Sequence, residues 1–345
     1  MNPVAIRLLN QQLYAPVFNN PEDVVSDLCA VQAQEYRLMR WAIAMRTKNP
    51  SSDKFKDAYN TGKIIRLHLL RGTWQLVSSE DYRWLLQLIS DKGRKVIQGW
   101  MSANHISITN EEYEYIKQLI IEFVNEKKSV TGDDISKMLL EKGIRMDKHR
   151  LSYHLRMAEL SGTLCSGDLH PMKATYSLTD LKISYKKEEI DYDYALQKLA
   201  RKYYTSRSPA TIEDFIWWSG LNVRECKNAL ELISGEVQKT KYKGRDFYIH
   251  DNARIRGFRK GKTLLLPSYD ELLIGYKSRD LIIPDEFRHR GYNNNGIFYP
   301  VIVKDGVICG NWKPFSEKLN VMLFNDDNLP GIEKEWNRYK KFRNN

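Results

Sequence analysis

Residues 207–225 read RSPATIEDFIWWSGLNVRE, and this stretch decides the fold. Thr211 and Asp214 have the spacing of a helix N-cap and its reciprocal partner, and a glycine ends the apolar run that they open. Asn222 and Glu225 repeat the capping pattern directly afterwards. The stretch therefore predicts two short helices separated by a tight turn.

A basic run, VQKTKYKGRDFYIH over residues 237–250, follows these helices and alternates around Lys243-Gly244 as a hairpin. Two helices followed by a hairpin predict a winged helix. The same order occurs twice upstream. A capped helix at Thr131, a second helix and a hairpin occupy residues 131–178, and two helices and a hairpin occupy residues 20–77. A repeated unit is a strong architectural signal, so we predict three tandem winged-helix motifs.

From Thr263 the chain becomes rich in predicted strands, TLLLPSYDELLIGY and NGIFYPVIVKDGVICGNWK, and it ends in a basic aromatic helix or tail. The predicted fold class is α+β, with a β-rich C-terminal layer after the repeats. The predicted domains are the first winged helix at 1–100, the second at 101–185, the third at 186–255, and a β-rich region with a basic tail at 256–345.

Composition narrows the partners. Lys plus Arg exceed Asp plus Glu by 54 − 43 = 11, and the pI is near 9.2, which favours a polyanion or an anionic membrane. No apolar run approaches the ~18 residues of a membrane span, and the N-terminus lacks a signal-peptide pattern. We expect a cytoplasmic monomer. The four cysteines are far apart, and we predict buried reduced thiols, no metal and no cofactor.

Several segments together resemble a known family. They are VQAQ (31–34), RLHLLRGTWQLVSSEDYRWLL (66–86), SRSPATIEDFIWWSGL (206–221), LLPSYDELLIGYKSRD (265–280) and GIFYPVIVKDGVICGNWK (296–313). Between about residue 20 and residue 315 the chain is similar to the winged-helix DNA-binding family that includes the AlkZ and YcaQ DNA glycosylases. The resemblance implies a C-shaped arrangement of three winged helices that binds duplex DNA. In catalytic members it also implies cleavage of the N-glycosidic bond of alkylated bases.

The resemblance places the catalytic motif at Gln32-Ala33-Gln34. The Gln-x-Gln form resembles enzymes that unhook interstrand crosslinks, whereas Gln-x-Asp members also act on simpler cationic lesions. At one position the chain departs from the family pattern, because Gln75 stands where a histidine is expected. A role of this histidine in handling substrate is therefore not carried over to this chain.

Amides suit this chemistry for a physical reason. Side chains two residues apart diverge on a helix but face the same way in an extended segment, and the helical stripe stops near Val31. A cationic N7-alkylpurine leaves without protonation, so Gln32 and Gln34 need only position a water, and Glu35 could add a carboxylate. From spacing alone, helix-end glutamines that satisfy free carbonyls are the commoner alternative.

We predict a monofunctional reaction. A bifunctional enzyme needs a lysine nucleophile in a dry pocket. Lys63 and Lys173 lie near the predicted hairpins, where phosphate contact is the usual role of a lysine.

Binding to double-stranded DNA is predicted from basic side chains on the second recognition helix and on two wings, where cations meet phosphates. These residues are Arg150, Arg156, Lys173, Lys239, Lys241, Lys243 and Arg245. His170, at the hairpin tip with Pro171 and Met172, could enter a groove. Solvated surface charge and a simple turn are the alternatives for these residues.

Two further patterns have structural interpretations. Trp217-Trp218 suggests base stacking, but the helical spacing with Phe215 and Leu221 predicts that at least one of the two is core and that the pair serves packing. Asp270-Glu271 is predicted to have only a structural role or a supporting role behind the catalytic residues. The alternatives to a glycosylase are a non-catalytic winged-helix transcription regulator and a ligand-binding or scaffold protein.

Overall fold

The computed structural model describes residues 2–183, 190–326 and 328–344. The α-helices are α1 Pro3–Asn10, α2 Pro21–Leu28, α3 Met39–Ala44, α4 Ser52–Asn60, α5 Ser79–Ala103, α6 Asn110–Lys127, α7 Gly132–Glu141, α8 Lys148–Leu160, α9 Thr179–Lys182, α10 Tyr192–Arg207, α11 Ile212–Ser219, α12 Val223–Glu231, α13 Glu271–Ile274, α14 Arg288–Gly291 and α15 Ile332–Asn344. The strands are β1 Ala30–Gln32, β2 Ile64–His68, β3 Trp74–Ser78, β4 Val130–Thr131, β5 Leu164–Ser166, β6 Thr175–Leu178, β7 Val237–Tyr242, β8 Arg245–His250, β9 Thr263–Leu266, β10 Val301–Lys304, β11 Val307–Trp312 and β12 Val321–Leu323. In these ranges, no helix is long and apolar enough to span a bilayer.

The chain separates into two compact units. The first unit combines Met1–Phe55 with Asp193–Asn345, and the second unit is Lys56–Tyr192. The four domains drawn from the sequence stay a prediction, and the boundary between residues 185 and 186 lies outside the described residues.

The second unit contains a small antiparallel sheet of order β4-β6-β5, covered by α6, α7 and α8. Val130 pairs with Tyr176, and Leu164 pairs with Leu178. Apolar side chains of the three helices and of the sheet form one buried core: Ile116, Ile120, Val124, Ile135, Leu139, Leu155 and Leu164. The capping box predicted at Thr131 is confirmed, because its hydroxyl accepts from Asp134 N while the Asp134 carboxylate accepts from Thr131 N.

The first unit repeats this element order in α10, α11, α12 and the β7–β8 hairpin. Both predicted capping boxes are confirmed, Thr211 with Asp214 and Asn222 with Glu225. Ala210 forms a bridge with Tyr248, which ties the start of α11 to the hairpin. Local capping chemistry therefore fixes where these helices begin.

The C-terminal region forms an antiparallel sheet of order β12-β11-β10-β9. The prediction of strands is wrong for DELLI, which forms the helical turn α13 because the Asp270 side chain accepts from Leu272 N at 2.9 Å. The end of the chain is helix α15. Its Trp336 and Tyr339 are buried in a core that also contains Trp41 from the N-terminal part of the same unit.

Candidate active site

The Gln-x-Gln segment follows a sharp reversal of the chain. Helix α2 ends at Leu28 and β1 begins at Ala30. Cys29, between them, has φ 66° and ψ −64°, the γ-turn conformation that residues with a side chain rarely adopt. The helix thus ends before Val31, which already belongs to the strand, and the prediction of an extended segment at Gln32 is confirmed.

Gln32 and Gln34 have different surroundings. Gln32 is the last residue of β1 and is 4% exposed. Gln34 is exposed, and its side chain makes no hydrogen bond within the described part of the chain. The amide of Gln34 is therefore available to a ligand. The convergence of the two amides on one water stays a prediction.

A buried ion pair holds the backbone of this segment. Glu271 Oε1 accepts from Gln32 N at 2.8 Å, and Glu271 Oε2 lies 2.7 Å from Arg207 Nη2. The same guanidinium donates to the carbonyl of Leu28 at 2.8 Å and to the carbonyl of Ala30 at 3.1 Å. Both charged side chains are at most 1% exposed. We call this arrangement the Arg207–Glu271 clamp.

A second buried ion pair lies one residue away in sequence. Arg46 donates from Nη1 and Nη2 to the two carboxylate oxygens of Asp270, both at 2.9 Å, and both side chains are fully buried. The structural role predicted for Asp270 and Glu271 did not include these arginine partners. A bidentate pair of this kind is strongly oriented, so it fixes the start of α13.

Glu35 holds the turn that precedes α3. Its carboxylate accepts from Leu38 N at 2.9 Å and from Arg37 N at 3.3 Å, just before α3. The side chain is 30% exposed. These bonds hold the turn between the motif and α3, and the catalytic carboxylate considered from the sequence stays a prediction.

Asp27, on α2, was not singled out by any sequence pattern. Burial raises the pKa of its carboxyl, while a hydrogen bond from Gln12 Nε2 at 3.1 Å and the charges of Lys202 and Arg207 partly oppose that rise. A carboxyl with a raised pKa is a frequent mark of functional sites. Asp27 lies just before the reversal that leads into the motif.

The two arginines predicted on α8 bind groups of the second unit, to which α8 itself belongs. Arg150 pairs with Glu112 and donates to the carbonyl of Ser107 at 3.1 Å. Arg156 Nη2 donates to the carbonyl of Gly72 at 3.0 Å. Their guanidinium groups are therefore engaged within the protein, and DNA contact by either stays a prediction.

His170 and Lys173 lie in the loop between β5 and β6. Nδ1 of His170 accepts from Met172 N at 3.1 Å and from Lys173 N at 3.0 Å. Lys173 Nζ lies 2.6 Å from an Asp133 oxygen, which raises the lysine pKa. The imidazole therefore shapes the turn, and Met172 projects from it, 59% exposed.

The β7–β8 hairpin carries the other predicted cations, Lys239, Lys241, Lys243 and Arg245. Lys239 pairs with Asp246 at 2.8 Å and Arg245 pairs with Asp280 at 2.8 Å. Lys241 and Lys243 are exposed. Contact of these four cations with phosphate stays a prediction.

Gln75, at the position where a histidine was expected, is 1% exposed. Its Oε1 accepts from Leu70 N at 3.0 Å and so holds the turn between β2 and β3. A histidine does occur on the paired strand. His68 Nδ1 lies 2.6 Å from Glu159 Oε2, and its ring packs against Trp74 in a tilted arrangement, with centroids 3.7 Å apart. Sequence reasoning missed this contact.

The adjacent tryptophans differ. Trp218 is fully buried and Trp217 is 40% exposed, with its Nε1 donating to the carbonyl of Ile274 at 3.2 Å. The prediction that at least one of them is core is confirmed.

The four cysteines are buried free thiols, as predicted. Residues 2–183, 190–326 and 328–344 contain no group of three or more His, Cys, Asp or Glu suited to a metal.

The helices and short antiparallel sheets make this a mixed α/β protein. The chain belongs to the DNA glycosylase AlkZ-like family, whose sequence model matches residues 25–342. The family resemblance predicted from the sequence is confirmed. The chain is a DNA glycosylase, a hydrolase that acts on DNA, and the predicted monofunctional reaction agrees with the family. The alternatives of a regulator and a scaffold are not supported.

A curated protein and a solved structure, both from Streptomyces sahachiroi, are similar to this chain. The chain is 23% identical over 347 residues to the interstrand DNA cross-link repair glycosylase of Streptomyces sahachiroi, covering 96% of this chain and 93% of the relative. It is also similar to the solved structure of Streptomyces sahachiroi DNA glycosylase AlkZ, with a TM-score of 0.80 and 21% identity. That match covers 99% of this chain and 96% of the solved one. This likeness shows the fold.

Proposed function

We propose that the protein hydrolyses the N-glycosidic bond of cationic N7-alkylated purines in duplex DNA, including purines held in an interstrand crosslink. The observation that carries the proposal is the Gln-x-Gln segment. In a DNA glycosylase chain, it leaves β1 with an exposed Gln34 and with the Gln32 backbone held by the Arg207–Glu271 clamp. The crosslink activity named for the relative is consistent with the glutamine form of the motif.

The proposed chemistry needs no strong acid. As the bond between C1′ and N9 breaks, its electron pair moves to N9 and neutralises the cationic base, so that an oxocarbenium-like sugar remains. An amide oxygen of Gln32 or Gln34 accepts a hydrogen bond from a water, which attacks C1′ and releases its proton to solvent. General-base assistance typically contributes about 10²- to 10⁴-fold, and the poorer base that an amide provides suits a labile bond.

We propose three winged helices as the DNA-binding scaffold. The support is the order helix, strand, helix, helix, strand, strand, which occurs from α2 to β3, from α6 to β6 and, with the Ala210 bridge as its strand, from α10 to β8. The proposed domains follow this order, with the sheet of β9 to β12 as the fourth. Lys241 and Lys243 on the last wing are proposed phosphate contacts.

Base release from a defined duplex tests the proposal. We expect the protein to release N7-methylguanine and to separate a duplex joined through two N7 positions of guanine, leaving an intact abasic site in both cases. Borohydride should trap no covalent adduct with DNA, since no lysine nucleophile is proposed. Strand cleavage with a trapped adduct would refute the monofunctional reaction. Absence of release from both substrates would refute the substrate class.

A further inference from the structure

The clamp lies where it can control the geometry of the catalytic segment. Arg207 donates to the carbonyls of Leu28 and Ala30, the two residues that flank the strained Cys29. Glu271 accepts from Gln32 N, two peptide units further along the strand. One ion pair therefore fixes both sides of the reversal and the backbone of Gln32.

The clamp is itself braced by buried neighbours. Tyr276 Oη donates to the carbonyl of Arg207 at 3.0 Å and accepts from Gln11 Nε2 at 3.0 Å. Gly275 leaves no room for change, because a Cβ built there would lie 2.6 Å from the Glu271 carbonyl and 3.3 Å from Arg207 Nε. The guanidinium and the carboxylate are therefore held in one arrangement.

We propose that Arg207 and Glu271 are positioning residues for base excision, which act by holding the Cys29 reversal and the Gln32 backbone so that the Gln-x-Gln amides point at the reacting sugar. The inference rests on the proposed role of Gln32 and Gln34. Neither Arg207 nor Glu271 touches substrate, because both are buried. A strained γ-turn reverts to an ordinary conformation when its supports are removed, and that change would rotate the motif.

The neighbouring pair provides a matched control. Asp270 and Glu271 are adjacent, both are 1% exposed, and each pairs with one buried arginine. The carboxylate of Asp270 accepts hydrogen bonds from Arg46 and from Leu272 N. The carboxylate of Glu271 accepts hydrogen bonds from Arg207 and from Gln32 N. Loss of either charge leaves a buried arginine uncompensated, so both variants should be destabilised, but only one disturbs the motif.

The experiment compares E271Q with D270N by three measurements: thermal midpoint, affinity for an N7-methylguanine duplex, and single-turnover release at saturating protein, below both thermal midpoints. We expect similar losses in midpoint and unchanged affinity in both variants. We expect the release rate of E271Q to fall on the order of 10²-fold, as for a displacement of about 1 Å, while D270N, whose carboxylate does not contact the motif, slows release much less.

A double variant that removes both buried charges separates the effect of a displaced Gln-x-Gln segment from the effect of lost folding stability. In R207M/E271L no buried charge is left unpaired, so the thermal midpoint should recover relative to E271Q while the slow release persists. Equal rates for E271Q and D270N, or a parental rate in the double variant, would overturn the positioning role. If Q32A/Q34A releases base normally, the proposed catalytic motif fails, which is a distinct result from failure of the clamp alone.

Discussion

His154 should make the second unit sensitive to acid. The imidazole lies on α8, is 1% exposed and stacks on Tyr113 with centroids 5.8 Å apart and planes 10° apart. Neither ring nitrogen has a hydrogen-bond partner in the described part of the chain. Burial lowers the pKa of His154 to about 4; Glu112 opposes this shift and Arg150 adds to it.

The stability of the folded protein changes with pH because the folded and unfolded chains differ in the proton uptake of His154. In the unfolded chain the imidazole takes up a proton below its ordinary pKa of about 6.5, whereas in the folded protein it stays neutral down to about 4. The unfolded state therefore gains relative stability as the pH falls through this window. For a shift of this size the folded state loses roughly 2 to 3 kcal/mol of stability by about pH 4.5.

The assay is urea unfolding of the parent and of H154L at about pH 7.5 and about pH 4.5. Leucine fills the site without a titratable group, so other titrations cancel in the double difference. We expect H154L to be as stable as the parent or more stable at the higher pH, because two unpaired nitrogens are removed. The free energy of unfolding of H154L relative to that of the parent should rise by roughly 2 to 3 kcal/mol at the lower pH. An advantage that does not change with pH would refute the reasoning.

Two further predictions concern packing and DNA binding. W218A should lower the free energy of unfolding by about 3 to 5 kcal/mol, since a fully buried indole is lost, whereas W217A, at a 40% exposed position, should cost far less in the same calorimetric comparison. K241E/K243E should weaken binding to any duplex sequence and reduce the slope of log K against log salt by about 2. An unchanged slope in a fluorescence titration would remove these lysines from the interface.

Local features of the fold could be read from the sequence. The capping boxes at Thr131, Thr211 and Asn222 each join residues that are three apart, so a short stretch of sequence is enough to predict them. The hairpin turns are equally local. The error at DELLI has a local reason too, because a short apolar run is ambiguous between strand and helix, and only the cap from Asp270 decides it.

The clamp could not be predicted in the same way. Arg207 and Glu271 are 64 residues apart, and Arg46 and Asp270 are 224 residues apart. A basic residue at a helix end ordinarily points to solvent, so nothing in the sequence marks Arg207 as buried. Family resemblance identifies the motif. Its anchoring by Arg207 and Glu271 depends on segments that are distant in sequence and come together only in the folded chain.

The most direct test of the catalytic assignment is single-turnover release of N7-methylguanine by the parent, Q32A, Q34A and Q32A/Q34A, each at saturating protein and with duplex affinity measured in parallel. We expect release by the parent, a loss of about 10²-fold or more in the double variant, and affinities that differ little. Normal release by the double variant at equal affinity would contradict the assignment of the chemistry to Gln32 and Gln34.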